Sequence, residues 1–125
     1  MKTNTFIIIV SGYTLLLGVV GLFFPSLALE YFAGEPANVQ QQSLINFIGG
    51  YQIAFGILGY FLWKSSEINS RKAWLLMVAF LTIMATVLIF YNKSVRMIPV
   101  SDTYLIDIVI WIAMAGSALY FRSKE

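Results

Sequence analysis

Apolar residues fall along this chain in four long stretches separated by short polar or turn-rich connections. A helix needs about 20 mainly apolar residues to cross the hydrocarbon core of a bilayer. The pattern predicts such helices over residues 5–24, 43–63, 73–91 and 103–121. Backbone polar groups in lipid must be satisfied by a helix or a closed barrel, and these runs are too long and too evenly apolar for barrel strands. The expected fold is all-α, an antiparallel four-helix transmembrane bundle forming one integral membrane domain over residues 1–125.

Within the apolar runs one pattern is written twice. Ser11 to Pro25 reads SGYTLLLGVVGLFFP and, 38 residues later, Gly49 to Trp63 reads GGYQIAFGILGYFLW. The segments share Gly12/Gly50, Tyr13/Tyr51, Gly18/Gly56, Gly21/Gly59 and Phe23/Phe61. At about 100° per residue, Ser11, Thr14, Gly18 and Gly21 fall on one stripe, and so do Gly49, Gln52, Gly56 and Gly59. In lipid, helices associate where small residues let backbones approach and polar groups bond across the gap. These stripes are therefore the expected packing faces of the first two spans, related by a local pseudo-twofold axis in the membrane plane. Thr14 and Gln52 each lie roughly 13 Å into their spans, so the crossing is expected near them.

The connections carry their own signals. Pro25 marks the end of the first span, and Leu27, Leu29, Tyr31 and Phe32 suit a short surface helix before the turn signal Gly34-Glu35-Pro36. Asn38 followed by Gln41 has the form of a capping box, so the second helix is expected to begin before its apolar part. Ser101 or Asp102 is the expected cap of the fourth. The apolar run from Phe6 to Phe24 exceeds the usual 7 to 15 residues of a signal sequence, so it is read as a retained helix.

Composition and charge sharpen this picture. The 125 residues are 59% hydrophobic and 11% charged, with a mean hydropathy of +0.80. Lys2, Lys64, Arg71, Lys72, Arg122 and Lys124 lie at the two ends and the second connection, whereas the third connection has only Lys93 and Arg96. The positive-inside rule then places both termini in the cytoplasm and the protein in the cytoplasmic (inner) membrane. The net charge of +2 follows from that anchoring, and no nucleic-acid partner is expected.

Cysteine and histidine are both absent. That excludes disulfides, thiol catalysis, Cys/His zinc sites and histidine-ligated haem, and no cofactor is expected. No triad, P-loop or dinucleotide fingerprint is present, and no second carboxylate lies within a span, so enzymatic activity is not expected. Asp107 is the carboxylate inside a span, and such a group is costly in lipid. It reads either as a ligand- or proton-binding group or as a structural carboxylate paired with Arg96 at the start of the fourth helix. Asn46, Gln52, Tyr91 and Asp107 together form the candidate ligand pocket in the outer half, with Thr86 extending the polar set. The expected ligand is apolar with a polar head, a membrane lipid or a quinone. The alternative is a homodimeric small transporter or channel subunit, or a subunit of a larger membrane complex, with Ala113, Gly116 and Ala118 as the contact face.

The glycine-spaced first helix ending in Phe24-Pro25, the longer first connection, and Phe47-Ile48-Gly49-Gly50-Tyr51 followed by Gly56 resemble a bacterial family of small four-helix membrane proteins of unknown function, loosely similar to the DoxX-like proteins. The resemblance implies a four-helix fold, an arginine just before the Gly-Gly pair and an acidic residue in the fourth helix. Here Leu44-Ile45-Asn46 stand at the arginine's place, and Asp107 matches the acid. It implies no particular activity.

Overall fold

The computed structural model describes residues 1–33 and 38–125, and the turn signal Gly34-Glu35-Pro36 lies outside the described residues. Among the described residues there are five helices: α1 (Thr3–Phe23), α2 (Pro25–Ala33), α3 (Val39–Leu62), α4 (Ile68–Ser94) and α5 (Tyr104–Lys124). All but α2 are long and apolar enough to cross a membrane. The chain is thus an all-α, four-span membrane protein.

Local chemistry sets the helix ends. Phe24 leaves the helical conformation at φ −132° and ψ 55°, as a residue preceding proline must. Pro25 then opens α2, a position where its missing N–H costs nothing. The Asn38 side chain accepts the Gln41 N–H at 2.9 Å while the Gln41 side chain accepts the Asn38 N–H at 3.0 Å. This reciprocal cap starts α3 four residues before its apolar run. Helix α4 has 27 residues, about 40 Å at 1.5 Å each, longer than its apolar core because both ends continue into the polar zone. It stops where Met97 adopts a left-handed conformation, φ 55°, and the Ile98 N–H returns to the Asn92 carbonyl at 2.9 Å. Neither expected cap opens α5. Thr103 takes that position without a side-chain cap, because Ser101 folds into a turn, its hydroxyl accepting the Thr103 N–H at 3.3 Å and its carbonyl the Tyr104 N–H at 3.1 Å.

Helix α1 packs along α3, α4 packs along α5, and the two pairs touch more sparingly. The backbones of α1 and α3 come into direct contact. A Cβ on Gly49 would fall 2.5 Å from the Leu22 nitrogen and 2.7 Å from the Gly18 carbonyl oxygen. One on Gly56 would fall 2.9 Å from the Ser11 carbonyl oxygen. The 38-residue repeat matches Ser11 with Gly49 and Gly18 with Gly56, so it exchanges these two contacts. Gly12 and Gly50, repeated but off the stripes, have open space around them.

The pairs join at one end of the bundle, which we call the terminal end because Asn4 and Glu125 meet there. Phe6, Ile7 and Val10 of α1 and Leu62 of α3 are buried against Trp74, Leu75 and Val78 of α4 and Phe121 of α5. At Gly59 three helices converge, since a Cβ there would overlap both the Ser11 hydroxyl and the Trp74 ring. Trp74 stacks on Phe55 with centroids 5.2 Å apart and donates its indole N–H to the Phe55 carbonyl at 3.3 Å. On α4 no residue beyond Thr82 is buried, so the tight packing between the two pairs belongs to the terminal half. In the distal half α1 and α3 stay in backbone contact with each other at Gly18, Gly21 and Gly49, and that half carries α2.

Candidate functional site

Helix α2 lies over the distal ends of α1 and α3, and the three helices enclose a partly open cavity of about 370 Å³. Leu17 and Val20 of α1, Leu27 and Ala28 of α2, and Ile45 and Ile48 of α3 make most of its wall. Two polar side chains also line it, Gln52 at the deep end and Tyr31 at the outer end. The Gln52 amide makes no hydrogen bond among the described residues. Gln52 is half-buried, so its amide stays accessible and keeps its donors and acceptor open to whatever enters the hollow.

Two contacts tie α2 down. The Tyr31 hydroxyl donates to Asp107 Oδ1 at 3.4 Å, and the Ser101 N–H donates to the Phe32 carbonyl at 3.0 Å. Asp107 is buried, 5% exposed. Beside it the ring of Phe32 lies over Trp111 with centroids 6.5 Å apart. A carboxylate on α5 thus holds the cover of the cavity through one tyrosine.

The four predicted pocket residues do not share one pocket. Gln52 lines the cavity and Asp107 stands behind Tyr31, one hydroxyl away from its wall. Asn46 points elsewhere, donating to the Leu22 carbonyl at 2.7 Å and the Gly21 carbonyl at 3.3 Å. It thereby satisfies carbonyls that the end of α1 leaves without helical partners. Tyr91 is 44% exposed and lies under the Arg96 guanidinium, 5.1 Å from its ring centre. The expected ion pair between Arg96 and Asp107 is not made: Arg96 bonds Asn92 at 3.3 Å, and Asp107 receives Tyr31 instead. All four residues lie at suitable depths, but their helices present them to different sides.

Other expectations shift for similar reasons. Thr14 donates within its own helix, to the Val10 carbonyl at 2.8 Å, and Thr86 donates to the Thr82 carbonyl at 2.9 Å. Neither bonds across an interface. Ala113 and Gly116 are exposed, but Ala118 is fully buried in the core, so these three do not form one open face.

The residue that sequence reasoning undervalued is Arg71, read there as an anchor. It is 6% exposed. Its guanidinium donates to Glu125 Oε1 at 2.7 Å and Oε2 at 2.9 Å, and to Asn4 Oδ1 at 2.6 Å. It also donates to the carbonyls of Leu62, Trp63 and Ser65 at 3.2–3.3 Å. One side chain therefore fastens both terminal segments to the end of α3. The sequence holds a faint signal: no basic residue lies in the last turn of α3, and Arg71 is the first arginine after it.

Among the described residues no three of His, Cys, Asp or Glu come together to hold a metal ion. Fold and cavity define a class, the small four-span membrane protein with an apolar, partly open hollow beneath a short helix. No protein-family model, curated protein or solved structure matches the chain. The expected resemblance to a family is therefore not shown, and what stands of it is four long apolar helices.

Proposed function

We propose that this protein binds a small lipophilic molecule in the cavity between α1, α2 and α3, as an accessory or carrier component of its membrane and not as a catalyst. The observation that carries the reading is the Gln52 amide, without a hydrogen bond among the described residues, at the deep end of a cavity whose one other polar side chain, Tyr31, lies at its outer end. Its depth, about 20 Å along α3 from Val39, places that amide near the bilayer midplane, where water is scarce and a ligand is the natural partner. The volume is at the small end of the range for ligand pockets. Helix α2 supplies the cover, and Tyr31 with Asp107 holds it. In this reading the glycine contacts of α1 and α3 form the rigid wall, and the terminal end faces the cytoplasm because five exposed or half-exposed basic residues lie there.

The test is to fill the cavity. Ala28 is 8% exposed and lines it, so Ala28→Phe should occupy the space without disturbing the terminal core. The expected result is a folded protein whose organic extract has lost a lipophile that copurifies with the parent. Full retention of that molecule by the folded variant would overturn the reading.

A further inference from the structure

We infer that the ligand of this cavity is neutral at its polar end, so that long-chain alcohols, quinones or neutral glycerides fit it while fatty acids and phospholipids do not. The inference rests on the cavity being a ligand site, and it follows from the charges around that cavity. No charged side chain lines the wall. An ionised head buried there without a counter-ion would pay a desolvation penalty that its tail cannot offset.

The cations of the distal end are also committed elsewhere. Lys93 lies 3.7 Å from the ring centre of Tyr104, Arg96 lies over Tyr91, and Arg71 is held at the opposite end. The acidic group behind the wall is Asp107, which offers an anion no attraction, and the Tyr31 side chain stands between it and the cavity, so a cation there finds no direct ion pair. Glu30, exposed on α2, adds a second acidic group to the cover.

The hydrogen-bonding groups are suited to a neutral head. Gln52 has two N–H donors and a carbonyl acceptor free. Tyr31 has given its hydrogen to Asp107, so its oxygen presents lone pairs to the cavity. A hydroxyl can bond to both groups, and a quinone or ester carbonyl can accept from Gln52.

Three probes that share one tail and differ in head charge separate these cases: dodecanol, dodecanoate and dodecylammonium, each titrated at neutral pH into the full-length protein in nanodiscs of zwitterionic lipid and read by native mass spectrometry. The expected result is saturable binding of dodecanol to the parent, weakened about threefold to tenfold by Gln52→Leu and abolished by Ala28→Phe, with dodecanoate bound at least tenfold more weakly. Equal or preferred binding of dodecanoate at the same Ala28-sensitive site would overturn the charge rule while leaving the ligand site standing. Preferred binding of dodecylammonium would overturn it in favour of Asp107 as a counter-ion. Failure of all three probes to bind would sink the ligand site itself.

Discussion

Gly49 of α3 rests on Gly18 of α1 so closely that the two backbones touch, and a single added methyl group at Gly49 would lie 2.5–2.8 Å from three backbone atoms of α1. Neither backbone can yield without moving a whole helix. Gly49→Leu should therefore cost about 3 kcal/mol, at the upper end of overpacking, whereas Gly50→Ala, with nothing within 4 Å, should leave stability unchanged. Reversible unfolding in mixed micelles reads both variants. Equal tolerance would show that α1 and α3 are not held by this contact.

The clasp at the terminal end makes a separate prediction. Removing Arg71 strands the Glu125 carboxylate and the carbonyls at the end of α3, and breaking a buried ion pair typically costs about 3–5 kcal/mol. Arg71→Ala should destabilise by that order, while Arg71→Lys should recover only part, because an ammonium cannot reproduce a forked, bidentate contact. Glu125→Gln should be milder, since the carbonyls keep their donor. Thermal unfolding of the three variants in one detergent orders them, and an Arg71→Ala protein as stable as its parent would remove the clasp from the account.

Helix α2 is held by one long hydrogen bond from Tyr31 and one backbone bond at Phe32. Tyr31→Phe should raise hydrogen exchange in α2 about threefold to tenfold, as loss of one modest hydrogen bond allows. Asp107→Asn keeps an acceptor oxygen and should leave exchange near the parent's value, but Asp107→Leu should match Tyr31→Phe. Identical protection in all four proteins would mean that the contact does not secure the cover.

The absence of native cysteine makes orientation directly measurable. Ser123→Cys at the terminal end should resist a membrane-impermeant thiol reagent applied to intact cells, and Met97→Cys, 78% exposed at the distal end in the parent, should react. The reverse pattern would invert the assigned topology.

Much of the architecture was legible because a bilayer leaves a chain few choices. Four runs of sufficient length had to become four helices, and Asn38 with Gln41 announced where α3 begins. Side-chain direction was harder to read. Asn46 and Gln52 lie six positions apart on one helix, yet Asn46 turns to the orphan carbonyls of α1 and Gln52 to the cavity. Periodicity gives the angle between them but not the rotation of α3 about its axis, which only its packing against α1 determines. The same holds for Arg96 and Asp107, close in sequence but drawn to Asn92 and Tyr31 by the geometry of the α4–α5 connection. Arg71 was invisible for another reason. Its partners come from three segments, two of them the far ends of the sequence, and a basic residue near a membrane surface already has a sufficient explanation as an anchor.

The measurement that tests the central claim most directly is a native mass spectrum of the protein released gently from its own membranes, taken beside Ala28→Phe. The account predicts one small neutral lipophile on the parent chain and none on the variant. A bare parent chain, or the same ladder of ordinary phospholipids on both proteins, would contradict it.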